Sequence, residues 1–329
     1  MKVLEKIEAA KRYVQNRISG KPLYVGLNIT EACNADCDFC GYRRTNDYEG
    51  RMSKGLPSYT PIYNDLKPIV LSFLGGEPFS RKDLEKLVKE AKYEANVPYV
   101  QVTTNGSFLS KEKYIALSEA GLNRLNISLD YVGEKHDRSR GIPGLYEKIT
   151  GFLEDAKGVK GAKISFNTIV MADGISDVKQ IVDLAQKYGT QITLFPYSPV
   201  KNGNCNRIIS LEKESARKLF RELKDNYSSV VTNPEATMSG IDEFIGSRKY
   251  GGCDAGRSFM WVRPDGTYMG CIDIPQSSAK TLEEVRKFKD RNTCTACYLP
   301  CRAMSETAAT TKNPLTLLQI GKHFASVTY

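Results

Sequence analysis

The sequence predicts an α/β protein: a partial (β/α)6 TIM-like barrel followed by a small cysteine-rich α+β region. Three observations carry this. Between residues 22 and 230, six short apolar runs alternate with segments of helical period. Such alternation demands parallel strands, because each crossover must return the chain to the same end of the sheet. From about residue 231 the alternation stops, and a hairpin signal and five cysteines take its place.

Residues 2–19 place Val3, Leu4, Ile7, Ala10, Val14 and Ile18 at helical spacing, with Lys2, Lys6, Lys11, Arg12 and Arg17 on the other face. This predicts an amphipathic helix packed on the main domain, with a membrane-surface helix as the second reading. Strands are expected at LYVGLNI (23–29), IVLSFL (69–74), YVQVTT (99–104), LNISL (125–129), KISFNTIV (163–170) and QITLFPY (191–197). Helices are expected over 81–95, 110–120, 144–157, 176–188 and 211–226. The first connection, RMSKGLPSYTPIYNDLKP, holds three prolines and reads poorly as a crossover helix. Further on, FMWV and TYMGC flank RPDG, a hairpin signal. The expected division is a helix over 1–21, a core domain over 22–230 and a cysteine-rich domain over 231–329.

Composition narrows the function. The chain has 329 residues, 41% hydrophobic and 26% charged, with no stretch approaching a membrane span. MKVLEKIEAAKRYVQNRIS lacks the apolar core of a signal peptide, so a cytoplasmic, reducing setting is expected. There, nine cysteines read as metal ligands before disulfides. The net charge of +9 is scattered and not interleaved with aromatics, which argues against nucleic acid as a partner.

NITEACNADCDFCGY puts Cys33, Cys37 and Cys40 directly after the first expected strand, at the end of the sheet where α/β proteins bind ligands. Three soft donors are one short of a structural zinc site, and the only histidines are His136 and His323. Three thiolates on a [4Fe–4S] cube would leave one iron without a protein ligand, so a cluster is favoured over zinc. CxxxCxxC, with Phe39 before the third cysteine, resembles the radical S-adenosylmethionine (radical SAM) enzymes. The resemblance continues at Gly75-Gly76-Glu77-Pro78, at Thr104-Asn105-Gly106, at Ser128-Leu129-Asp130 and at HDRSRG, with its Arg138 and Arg140. It implies that the open iron chelates S-adenosylmethionine and that reductive cleavage yields a 5′-deoxyadenosyl radical that abstracts hydrogen from substrate. It further implies cofactor contacts from Phe39, Gly75, Gly76, Glu77, Thr104, Asn105, Ser128, Asp130 and Arg140, with Glu77 on the methionine amino group. By strand alternation, Ser128 and Asp130 are expected on one side.

Cys253 and Cys271, then Cys294, Cys297 and Cys301, resemble the SPASM extension of this family, or its shortened twitch form. Five cysteines instead of seven point to one auxiliary [4Fe–4S] cluster on Cys253, Cys271, Cys294 and Cys297, with Cys301 a substitute ligand. Zinc is the competing occupant, since two separated cysteines plus CxxC also suit it. Cys205 stands alone after the sixth strand, as a hydrogen-donating thiol or, more simply, a loop cysteine.

The resemblance implies a flavodoxin- or ferredoxin-type reductant and an anaerobic setting. About twenty residues precede the first strand, too few for a peptide-recognition domain, and no cobalamin domain is seen. The expected substrate is a small molecule, cofactor precursor or lipid headgroup, undergoing oxidation or carbon–carbon bond formation. Maturation of a ribosomal peptide is the second enzymatic reading, and an iron–sulfur electron carrier the non-enzymatic one.

Overall fold

The structure, a computed structural model, describes residues 3–40, 55–201, 203–209 and 214–310. Lys2, His323, the opening of the proline-rich connection and the Cys301 side chain lie outside the described residues.

The first helix is α1, Val3–Ser19. The barrel strands follow as β1 (Tyr24–Thr30), β2 (Val70–Gly75), β3 (Tyr99–Thr104), β4 (Arg124–Ser128), β5 (Lys163–Val170) and β6 (Gln191–Pro196). All lie within a residue of their expected positions. They pair in chain order, each parallel to the next, as crossovers through helices require.

The crossovers are α2 (Thr60–Leu66), α3 (Leu84–Lys89), α4 (Lys111–Glu119), α5 (Glu134–Arg140), α6 (Leu145–Ala156) and α7 (Ile175–Lys187). α2 corrects the expectation of a non-helical first connection: Pro61 sits in its first turn, where no backbone donor is lost. The helix expected over 81–95 is α3 followed by a π-helical turn, Glu90–Glu94.

The two faces of the strands differ in chemistry. Val25, Leu27, Leu71, Phe73, Val100, Val102, Leu125 and Ile127 turn outward into a hydrophobic cluster shared with the helices. The alternate residues, among them Ser72, Gln101, Thr103, Asn126, Asn167 and Thr193, line an interior cavity. Parallel strands buried on both faces ordinarily read as unbroken apolar runs. This barrel instead sets polar side chains at these inward positions, in a cavity whose lining is otherwise mostly apolar.

Beyond α8 (Glu214–Asn226) and α9 (Glu235–Ser247), the expected hairpin forms as β7 (Phe259–Val262) and β8 (Tyr268–Met269), with β9 (Ser278–Ala279) added outside. Gly266 at φ +86° makes its turn. The boundary expected near residue 230 is not a break in the sheet. β7 pairs in parallel with the free edge of β1, giving the order β6-β5-β4-β3-β2-β1-β7-β8-β9. Gly26 faces Trp261 across that junction, and a Cβ on Gly26 would stand 2.3 Å from the indole. The chain then runs through α10 (Leu282–Arg291), held by a Thr281–Glu284 capping box, to α11 (Pro300–Thr310).

α1 reverses the expected orientation. Arg12 and Asn16 are the buried residues, whereas Val3, Leu4, Ile7, Val14 and Ile18 are more than half exposed. The cause is a set of directed hydrogen bonds to chain ends of the barrel. Arg12 donates to the carbonyls of Pro68 (3.0 Å) and Ala95 (2.8 Å), and Asn16 to those of Pro22 (2.8 Å) and Lys67 (3.0 Å). Buried carbonyls at loop ends need donors, and only the polar face of α1 supplies them.

Candidate active site

Cys33, Cys37 and Cys40 lie on the loop leaving β1. The Asp36 amide donates to the Arg140 carbonyl (2.9 Å) and the Cys40 amide to the Cys37 carbonyl (3.2 Å), so the loop is tied both to α5 and to itself. Gly75 and Gly76 let the end of β2 press against it. A Cβ on Gly75, which has φ +130°, would stand 2.1 Å from the Thr30 oxygen, and one on Gly76 2.0 Å from the Ala32 oxygen. The paired glycines thus seat the cysteine loop as well as exposing backbone to the cavity.

A cavity of about 960 Å³ begins at this loop and continues through the barrel interior to α1. Its walls include Cys33, Cys37, Phe39, Cys40, Gly75, Gly76, Thr104, Asn105, Ser128 and Arg140. Ten of the residues expected at the site are therefore brought together from four strand ends and one helix.

Two expected contacts are not on the cavity wall. Glu77 is fully buried, its carboxylate accepting from the Phe79 amide (3.0 Å), the Thr104 hydroxyl (2.6 Å) and the Asn105 amide (2.7 Å). Burial raises its pKa and those three donors oppose the rise, so it ties the ends of β2 and β3 together. Asp130 lies two residues past Ser128, just beyond the end of β4, and is buried. Its carboxylate pairs with the Arg140 guanidinium and accepts from the Ile169 amide (2.9 Å).

Arg140 is the hub. It ends α5, which closes on Gly141 in the left-handed conformation. Its guanidinium lies 5.1 Å from the centre of the Phe39 ring, and Nη1 is 3.9 Å from Cys37 Sγ. Burial opposes its charge, but Asp130 and the neighbouring sulfurs outweigh that and raise its pKa. Its Nε, buried, meets no acceptor among the described residues. Arg138 points to solvent on Glu134 (3.1 Å), which separates the two candidate arginines.

Burial drives the Cys33 thiol to about 12 and also raises Cys37, with each sulfur repelling charge on its neighbours. Sulfurs so placed become thiolates only against compensating positive charge, as a bound metal provides.

Several residues here gave no sequence signal. Arg207 holds Asp38, inside the cysteine loop, through Nε (3.0 Å) and Nη2 (2.6 Å), and donates to the Tyr131 hydroxyl (2.8 Å). Asn34 accepts from Asn105 Nδ2 (2.9 Å) and donates to Ser107 (2.9 Å). Cys205 is exposed and borders a separate cavity of about 290 Å³.

The second cysteine set is assembled from distant loops. Cys253 and Cys271, with Cys294 at their margin, pack around Trp261 and Met269, and the Cys253 amide donates to the Cys294 carbonyl (3.1 Å). Burial pushes Cys253 and Cys271 up to about 12 and also raises Cys297, with charge on Cys297 adding to the rise at Cys253 and Cys271 and charge on Cys294 to that at Cys297. Arg302, fully buried on α11, staples these loops: it donates to the Cys297 carbonyl (2.8 Å) and the Gly251 carbonyl (2.7 Å) and pairs with Glu306 (3.0 Å). Glu306 in turn accepts from the Asp254 amide (2.6 Å).

No three His, Cys, Asp or Glu side chains among the described residues converge tightly enough for one metal ion.

A sequence model of the Radical SAM superfamily matches residues 27–187, the stretch from β1 to α7. The chain belongs to the radical SAM superfamily. Its members are enzymes, and so is this chain. A Methanocaldococcus jannaschii protein named "Probable GTP 3',8-cyclase" is 29% identical over 219 residues, 61% of this chain and 68% of that one. A Methanococcus aeolicus protein of the same name is 26% identical over 307 residues, 84% of this chain and 92% of that one. Among solved structures, Streptococcus suis SuiB bound to the precursor peptide SuiA superposes with a TM-score of 0.59, at 18% identity, covering 94% of this chain and 74% of that one. At that identity the likeness is one of fold. The radical SAM family implies a [4Fe–4S] cluster and S-adenosylmethionine, and the cavity end fits both. It offers three thiols on one loop, exposed glycine backbone, and a buried guanidinium N–H awaiting an acceptor.

Proposed function

We propose that this radical SAM enzyme abstracts hydrogen from a small-molecule, cofactor-precursor or lipid-headgroup substrate held in the barrel cavity. The observation that carries the reading is the continuity of that cavity, which joins the three-cysteine loop to a barrel interior of mostly apolar lining set with polar groups such as Ser72, Gln101, Asn126 and Asn167. In this reading Cys33, Cys37 and Cys40 hold the [4Fe–4S] cluster. Once bound, that cluster supplies the electron for reductive cleavage of S-adenosylmethionine, and hydrogen-atom abstraction follows. The chain's own part is placement. Arg140 offers its free N–H to the cofactor carboxylate, and Gly75 and Gly76 present backbone to its amino group. Thr104, Asn105 and Ser128 border the same space, and Phe39 covers the Arg140 face of the loop. Glu77 and Asp130 act as positioning residues, holding the β3 end and Arg140 respectively. The walls of the barrel exclude water from the reacting groups.

In residues 231–329 we assign Cys253, Cys271, Cys294 and Cys297 to one auxiliary [4Fe–4S] cluster. None of these sulfurs is part of the cavity wall, whereas their neighbours Ile272, Asp273 and Leu299 are. That arrangement suits an electron acceptor beside the substrate better than a substrate ligand.

The relatives named for GTP cyclisation supply a second reading, a purine nucleotide substrate. Against it, the cavity cations among the described residues are Lys6, Arg124 and Arg140, and Arg140 is already paired with Asp130. A triphosphate would ask for more.

Anaerobic reconstitution followed by S-adenosylmethionine and dithionite tests the reading. Formation of 5′-deoxyadenosine with about eight irons per chain supports it. Zinc-loaded, colourless protein without cleavage would overturn it.

A further inference from the structure

Among the described residues, six large hydrophobic side chains are more than half exposed, and five of them stand on α1: Val3, Leu4, Ile7, Val14 and Ile18. Val3, Ile7, Val14 and Ile18 follow the i, i+4, i+7 spacing of a single helix face, with Leu4 at its margin. Scattered exposed apolar residues need no account, but a contiguous stripe does. The helix cannot roll to hide it, because Arg12 and Asn16 anchor the opposite face to four carbonyls of the barrel.

The charges beside the stripe have one sign. Lys6, Lys11 and Arg17 are exposed on its two flanks. The two acidic residues of α1 are turned away, with Glu5 on Lys92 (3.0 Å) and Glu8 on Arg12 (2.8 Å). An apolar stripe flanked by basic side chains matches an interface of apolar chains beneath negatively charged headgroups. Residues 311–329, whose removal is an arm of the test below, contain no acidic residue to meet those cations.

We infer that α1 is a membrane-surface helix that seats the enzyme on an anionic bilayer, apolar stripe inward. The barrel cavity reaches the same helix, its α1 end bounded by Lys6, Ala9, Ala10, Tyr13 and Val14. Docking therefore brings that end of the cavity to the bilayer surface, which suits an amphiphilic substrate. The docking stands on α1 alone; only the nature of what enters rests on the function proposed above.

The test is co-sedimentation of the reconstituted full chain with phosphatidylcholine vesicles, with and without phosphatidylglycerol. The wild type is expected to pellet with the anionic vesicles. The double variant Ile7→Asp/Ile18→Asp should lower its partition by about tenfold or more, since two apolar anchors become anions. Lys11→Glu/Arg17→Glu should remove the preference for phosphatidylglycerol. None of these residues borders the cavity, so both variants should keep wild-type 5′-deoxyadenosine formation and circular dichroism. Wild type that stays in the supernatant with both vesicles overturns the inference, as does pelleting that neither variant changes. A wild-type dimer that Ile7→Asp/Ile18→Asp converts to monomer would assign the stripe to a second copy and also overturn it. Vesicle binding that appears only after removal of residues 311–329 would do the same. Vesicle binding without any cleavage of S-adenosylmethionine would leave docking intact and remove the chemistry.

Discussion

The two cysteine sets of this chain are built in opposite ways. The first takes three thiols from eight consecutive residues and leaves them on the wall of a large cavity. The second draws Cys253, Cys271 and the Cys294/Cys297 pair from three separate segments, packs the first three cysteines on Trp261 and Met269, and fastens the segments with a buried Arg302–Glu306 pair. A site that must accept a ligand can be local, because one loop suffices and the open side is its purpose. A site that must be closed needs donors from several directions, and so needs the fold complete before it exists.

The sharpest break of this comparison is Cys33→Ala/Cys37→Ala/Cys40→Ala. It should lower 5′-deoxyadenosine formation to background while about four irons per chain remain. Loss of all iron would mean that the two sets are not independent. Arg302→Met is the converse. It leaves Glu306 buried without its cation, at a cost of about 3–5 kcal/mol, and should release auxiliary iron while S-adenosylmethionine cleavage persists. Thermal unfolding and iron counts on the same samples check it. Gly76→Ala drives a methyl against the Ala32 carbonyl, 2.0 Å away, and should displace the Cys33 loop. An expected loss of about 1–3 kcal/mol in stability should accompany weaker S-adenosylmethionine binding, read by titration.

The smallest effect concerns pH. Burial holds the His136 imidazole well below its ordinary pKa, with Arg140 adding to the shift. Its folded pKa lies below its unfolded value of about 6.5, so the stability it permits is complete above that value and declines as pH falls beneath it. His136→Gln should flatten that decline relative to wild type in denaturant titrations between neutral and mildly acidic pH.

Much of the barrel was legible because strand and helix periods are local properties. The first set was legible because its donors are adjacent in sequence. What escaped reading depended on partners far along the chain. The apolar spacing of α1 correctly marked a helix, but its packed face was decided by carbonyls at residues 22, 67, 68 and 95 that want donors. Glu77 and Asp130 were read as ligand contacts because their motifs lie at strand ends; the tertiary bonds by which they also brace β3 and Arg140 had no local sign. Arg302 and Arg207 carried no local pattern at all. The polar inward positions did have a signal, since Gln101-Thr103 and Arg124-Asn126-Ser128 alternate within strands that helices also cover.

The contrast between an open and a closed site is tested most directly by electron paramagnetic resonance of the dithionite-reduced protein, with and without S-adenosylmethionine. The account predicts two cluster signals, of which S-adenosylmethionine shifts one, and that one is missing from Cys33→Ala/Cys37→Ala/Cys40→Ala. A cofactor that shifts neither signal, or shifts the one that survives in the triple variant, would contradict it.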